Sequence, residues 1–251
     1  MKEKTSIVLL TSNRKDFSRQ TIDGFYERLT NTHFIHLIVI DNNSKDGTVE
    51  MLKGYEKEGK IHKLILLGDG ETVNISNAYN LGLKYVESEL FITAQDDVII
   101  PKLEPDVVEQ LISLVERYPD HGGIGVRIQR IPNMKWVDGD LTPARKALSA
   151  YFRIQRKSDM LEVGGFGNRY WDDAAFVKQV REKLGKKCSW ANNLWGNHLG
   201  HTLKLGYPEG FVRVWGSDKR HALTELEMKR KPYPQIDPVT NVPLPGQRLY
   251  R

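Results

Sequence analysis

Short apolar runs alternate with longer amphipathic stretches through the first half of the chain. Ser6 to Thr11 and His36 to Asp41 are almost continuously apolar, and Leu64 to Leu67 is a third such run. Runs of this kind predict strands buried on both faces. Between them the apolar residues recur at helical spacing from Asp16 to Leu29, from Val49 to Glu58 and from Ile75 to Glu87. Lys45-Asp46-Gly47-Thr48 supplies capping-type residues at the start of the second of these helices. Leu90 to Ile100 is a further apolar run, followed by a helical pattern from Glu104 to Tyr118 that Pro119 stops. Strands interleaved with helices in this way predict parallel βαβ units with right-handed crossovers.

The pattern loosens in the second half. Gly123 to Gln129 reads as a strand, and Ala150 to Arg156 alternates as a half-exposed strand would. Ile131 to Ala147 contains Pro132, Trp136, Gly139 and Pro143 and reads as a loop, whereas Asp172 to Leu184 is helical. From Lys231 onward, five prolines and no periodicity predict an extended tail. No repeat and no long linker divides the chain, so one domain is expected, with a regular first half over 1–100, a less regular second half over 101–230 and the tail over 231–251.

The run at Leu90 carries chemistry as well as structure, because it drives Asp96 and Asp97 to its end. Ligands of open α/β sheets collect outside the carboxyl ends of the strands. Two carboxylates held there suit a hard divalent cation that bridges phosphates. An isolated Asp-Asp pair would equally well cap a helix or decorate a turn.

Composition adds bounds. The chain has 251 residues, a formal net charge of +5 and one cysteine, Cys188. An internal disulfide is excluded, which fits a reducing compartment. Without a spanning apolar run or a secretory pattern after Met1, a cytoplasmic location is expected, with membrane contact peripheral at most. The basic balance permits an anionic partner such as a nucleotide or a nucleic acid without choosing between them.

Several blocks then line up in order. Ser6 to Arg14, Leu37 to Thr48 (with Asp-Asn-Asn-Ser-Lys-Asp-Gly-Thr), Asn74 to Gly82, Gln95-Asp96-Asp97-Val98, Leu161 to Phe166 (with Gly-Gly-Phe) and Trp171-Asp172-Asp173 follow one another. Together they resemble the nucleotide-sugar glycosyltransferases of family 2, over roughly residues 5 to 205. The resemblance implies a GT-A-like α/β fold, a Rossmann-type mixed, mostly parallel sheet flanked by helices, with 1–100 as the nucleotide-binding half and 101–230 as the acceptor half. It also implies sugar transfer from a nucleotide-diphosphate donor, UDP-linked for preference, with inversion and with Mn²⁺ or Mg²⁺ as cofactor.

Residue by residue, the resemblance places Thr11, Asn13 and Arg14 against the base and diphosphate of the donor. A carboxylate leaving the second strand, Asp41, can accept the N3–H of a uracil-like base or a ribose hydroxyl. Asp46, ahead of Gly47-Thr48, suits a helix cap better, and Asn80 and Gly82 suit helix–sheet packing. At the metal motif Gln95 replaces the usual first aspartate, and Tyr79 stands where arginine is usual. Asp97 is the position resembling the metal ligand, with Asp96 facing the donor ribose or the ligand's surroundings. His198, in His-Leu-Gly-His-Thr, fits the register of a late metal-binding histidine better than His201. Asp173 resembles the general base and Asp172 an acceptor contact, with Tyr170 and Trp171 beside them as a possible sugar platform. The acceptor expected is a cell-surface glycan or its lipid carrier. The alternatives are a hydroxylated base in DNA, bound through Arg145, Lys146, Arg153, Arg156, Lys157 and the basic stretch from Lys219, and a non-catalytic binding module.

Overall fold

The computed structural model describes residues 4–30, 35–69, 71, 73–128, 138–167 and 172–198, with residues 128, 172, 197 and 198 described by their backbone alone. The first half is the expected βαβ series: β1 (Thr5–Thr11), α1 (Lys15–Arg28), β2 (Ile35–Asp41), α2 (Thr48–Lys57), β3 (Lys63–Leu66), α3 (Ile75–Leu83) and β4 (Leu90–Gln95). The second half runs β5 (Val98–Ile99), α4 (Val107–Arg117), β6 (His121–Ile128), β7 (Leu141–Pro143), β8 (Phe152–Arg156), α5 (Lys157–Glu162), α6 (Asp172–Leu184) and β9 (Lys187–His198).

These strands form one mixed sheet in the order β3-β2-β1-β4-β8-β6-β9-β5, with β7 also paired to β9. From β3 to β4 every pairing is parallel, which brings Thr11, Asp41 and Gln95 to one edge of the sheet. Beyond β4 the sheet turns antiparallel at β8 and β6, and β9 then runs parallel to β6. One core packs α1 and α4 residues such as Phe25 and Leu111 on one face. The other gathers α3, Phe166 and α6 on the opposite face.

The departures from the sequence pattern have local causes. The apolar run at Leu90 is not one strand: the chain turns at Asp96-Asp97, and Val98–Ile99 pairs with the end of β9 instead. The helix expected from Glu104 starts at Val107, because Asp106 caps it by accepting from Glu109 N–H and also takes the N–H and hydroxyl of Thr30. The helix expected to reach Glu87 stops at Leu83, since the N–H of Glu87 is taken by Ser6 Oγ and the chain peels off towards β1. Within the expected loop, 138–147 contains β7; 129–137 and the tail lie outside the described residues.

Gly82 allows α3 to lie directly on the sheet, for a Cβ there would run into Val8 Cγ1 and reach Ile40 Cδ1. Both neighbours are fully buried and have nowhere to go. Gly82→Ala is therefore expected to destabilise the protein by about 1–3 kcal/mol, the usual cost of overpacking. Urea unfolding measures it, and an unchanged midpoint would mean that α3 is free to lift.

Candidate active site

The site forms where the parallel strands end. After β1 the chain makes a tight turn in which Asn13 takes φ +50°. Its N–H donates to Ser44 Oγ (2.7 Å), and its side-chain oxygen accepts from Lys45 N–H (2.6 Å). The loops after β1 and β2 are thus fastened together, and Asn13 is the fastener. Asp46 adds to this by accepting from Lys15 N–H (3.0 Å) and from the N–H and hydroxyl of Thr48, which holds the turn ahead of α2, whose N-cap is Gly47 rather than the expected Asp46.

Asp96 sits in this frame with its carboxylate buried. Thr11 Oγ1 donates to Asp96 Oδ2 at 2.7 Å, Ser18 Oγ at 3.3 Å, and Thr21 Oγ1 donates to its backbone carbonyl at 2.8 Å. Arg14 Nη1 joins both carboxylates, at 3.3 Å from Asp96 and 2.7 Å from Asp97. Burial pushes the Asp96 carboxyl up to about 6, and Asp97 adds to this, while Arg14, Thr11 and Ser18 pull the other way. A carboxyl raised in the folded state contributes stability that is complete below its unfolded pKa of about 4 and lost as pH rises through the folded value. Relative to Asp96→Asn, the metal-free protein is thus expected to lose thermal stability as pH climbs from about 4 to about 7. A melting-temperature difference that is flat across that range would contradict it.

Asp41, at the end of β2, is fully buried. One oxygen accepts from Ser44 N–H at 2.9 Å, and Oδ2 has no hydrogen-bond partner among the described residues. Burial raises its pKa against the opposing bonds from Ser44. An acceptor left in this condition is suited to a donor group from a ligand.

Asp173 enters from the other half. Its Oδ1 accepts from Ala150 N–H at 3.1 Å, and its carbonyl accepts from Leu148 N–H at 3.2 Å. The next residue, Tyr151, accepts from Gln95 N–H at 3.1 Å. A backbone strap over Leu148 to Tyr151 therefore links the start of α6 to the end of β4. Asp172 is the first residue of α6, and nothing of its side chain is described. The backbone of His198 lies opposite Val98, the residue after Asp97, in the β5–β9 pairing. Its imidazole, like Tyr170, Trp171 and His201, lies outside the described set.

The structure thus brings Thr11, Arg14, Asp96 and Asp97 into direct contact, ties Asn13 and Asp41 to the adjoining loop, and connects Asp173 to them through the strap. Ser18 and Thr21 are additions. Their signal in the sequence is two hydroxyls one turn apart on the same face of α1 as Ile22 and Phe25, where a buried polar group needs a partner. Tyr79 replaces the usual arginine with a hydroxyl donating to Ala94 O (3.0 Å) at the end of β4. Asn80 grips Phe166 through both its N–H and its carbonyl.

Two features stand apart. A cavity of about 970 Å³ opens at the opposite sheet edge, by Thr5, Ile35, Leu90 and Val108, away from the carboxylates. Of the basic residues expected to meet DNA phosphates, Arg153 is fully buried, while Arg156 and Lys157 donate to the carbonyls of Val115 and Val86. The Lys219 stretch lies outside the described residues. Cys188 is buried, and burial pushes its thiol up to about 12, away from the thiolate form. No helix among the described residues is long and apolar enough to cross a membrane.

The mixed α/β sheet, whose parallel half ends in a buried Asp96-Asp97 turn paired with Arg14, has the GT-A fold of its structural neighbours. The sequence model of glycosyl transferase family 2 matches residues 6–171, and the chain belongs to that family. Solved structures share the fold. The mannosyltransferase PcManGT from Pyrobaculum calidifontis, in complex with GDP-Man and Mn²⁺, is 13% identical with a TM-score of 0.63, covering 93% of this chain and 66% of that one. S. aureus TarS 1–349 with UDP-GlcNAc is 14% identical with a TM-score of 0.60, covering 88% and 64%. GalNAc-T7 with UDP, GalNAc and Mn²⁺ is 13% identical with a TM-score of 0.63, covering 78% and 43%. The chain spans 60% of one TarS structure and 36% of a longer one. No curated protein matches it.

Proposed function

We propose that this protein transfers a sugar from a nucleotide-diphosphate donor, UDP-linked for preference, to an acceptor hydroxyl, with inversion at the anomeric carbon. The observation that carries the reading is the carboxylate pair at the end of β4, gripped by Thr11, Ser18 and Arg14. Family membership and the nucleotide-sugar complexes of the structural relatives support it.

The donor set fits a hard divalent cation: buried carboxylate oxygens that already hold a positive charge between them, with the backbone of His198 beside them. Asp97 and His198 are the proposed ligands. When bound, such an ion neutralises the charge that develops on the departing diphosphate. The chain's own residues do the rest. Asp41 accepts from the base or ribose, Arg14 attracts the diphosphate, Asn13 holds the donor loop in shape, and Asp96 faces the ribose. Asp173 takes the proton from the acceptor hydroxyl as its oxygen bonds to the anomeric carbon, and the bond from that carbon to the β-phosphate oxygen breaks. Asp172 contacts the acceptor, a glycan or its lipid carrier.

A thermal-shift panel of nucleotides and nucleotide sugars, each with and without Mn²⁺, tests this reading through selective stabilisation of the folded state. A selective, metal-dependent shift with UDP or a UDP-sugar is expected. No shift with any nucleotide would remove the donor assignment.

A further inference from the structure

Arg153 is among the largest fully buried side chains, and it lies on β8 between β4 and β6. Its Nη1 donates to Leu148 O at 2.8 Å and its Nε to Gln155 Oε1 at 2.8 Å. The guanidinium carbon stands 3.6 Å from the centre of the Phe176 ring and 5.8 Å from that of Phe166. Burying a cation in an apolar core has a large desolvation cost, and a hydrophobic side chain of similar volume is often no worse for stability. What the guanidinium does here that such a side chain cannot is to hold two segments at once.

The first segment is the strap. Leu148 has its carbonyl on Arg153 and its N–H on the Asp173 carbonyl, and two residues later Ala150 N–H donates to the Asp173 carboxylate. The second is α6. Phe176, stacked on the guanidinium, follows Asp173 by three residues, within one helical turn. Both sides of the Ala150–Asp173 hydrogen bond are thus anchored on the same buried cation. The far end of the strap is fixed to Gln95, next to Asp96.

We propose that Arg153 is a positioning residue for the transfer step, acting through the 148–151 strap and Phe176 to set where the Asp173 carboxylate stands relative to the end of β4. The inference rests on the reading of Asp173 as the base. Misplacement of a reacting group by about 1 Å can cost on the order of 10²-fold in rate.

The test uses the full chain with Arg153→Lys, which keeps the charge but loses the planar fork, and Arg153→Met as a second variant. Two readouts are taken: hydrogen exchange of the peptide covering 146–152, and UDP release from a mixture of UDP-glucose, UDP-galactose and UDP-GlcNAc with Mn²⁺. For Arg153→Lys, faster exchange in that peptide is expected, with unchanged exchange over 36–41 and an unchanged UDP–Mn²⁺ thermal shift. UDP release should slow roughly tenfold or more with donor KM unaltered. In an Asp173→Asn background the same change should add nothing, because the group it positions is already gone. Protected exchange at 146–152, or undiminished release in Arg153→Lys, overturns the inference while leaving the base assignment standing. Equal slowing in both backgrounds also overturns it, since Arg153 would then act independently of Asp173. Wild-type release in Asp173→Asn alone is a distinct result that removes the base and the inference with it. Where wild-type release is too slow to follow, or Arg153→Met fails to fold, the exchange of Arg153→Lys decides.

Discussion

Asp173→Asn is expected to slow UDP release and sugar transfer by on the order of 10²–10⁴-fold while leaving donor and metal binding intact, the range in which a general base contributes. The substitution is close to isosteric, and the amide oxygen of asparagine can still accept from Ala150 N–H, so the strap and the start of α6 stay in place. The negative charge and the capacity to take a proton are removed. Asp172→Asn should do less to turnover and more to acceptor affinity. The reverse pattern in the two variants would shift the assignment by one residue. Unchanged turnover with collapsed donor binding would place the pair in the nucleotide site and leave the reaction without its base.

Asp97→Ala is expected to abolish the Mn²⁺-dependent part of the UDP thermal shift without unfolding the protein. Asp97 is 2% exposed, and its Oδ2 accepts from Arg14 at 2.7 Å. In the variant Arg14 retains Asp96, so no buried cation is stranded. At a free ligand concentration a hundredfold above Kd, binding stabilises the folded state by about 2.7 kcal/mol. In a chain of this size that is roughly 5–10 °C of melting temperature. Differential scanning fluorimetry with UDP, with and without Mn²⁺, measures it directly. Equal metal-dependent shifts in the variant and the wild type would take Asp97 out of the site.

Most of the first half was legible because β1 and β2 are buried almost along their whole length and the helices are amphipathic, so each element announces its own period, while β3 at the sheet edge is only half-buried. What the pattern missed lies where polar residues are buried and paired. The segment before Lys157 alternates like a half-exposed strand, yet Phe152 to Gln155 are all buried, because β8 is flanked by two strands and Arg153 and Gln155 bond to each other. The strand β9 was not expected at all. Its Asn192 is polar yet buried, bonding to Arg127, Thr142 and the carbonyls of 138 and 139, and a register shift between Val126 and Arg127 breaks the alternation. At the site, the Asp-Asp pair and its order among the motifs were readable. The fastening of Asn13 to the second loop, and the hydroxyls of α1 around Asp96, depend on approach between segments 7 to 85 residues apart. Spacing along a chain carries little information about such approaches.

The position of β4 bears on how this protein can be made and handled. It pairs with β1 on one side and with β8, some sixty residues later in the chain, on the other. A ribosome that has released α4 has therefore delivered every strand of the parallel half, but Leu90 to Ala94 still presents an unpaired, almost wholly apolar edge. Such edges recruit strands from neighbouring molecules. A fragment ending near residue 120 should accordingly aggregate rather than bind nucleotide, and the proposed donor crevice should not be excisable as a module.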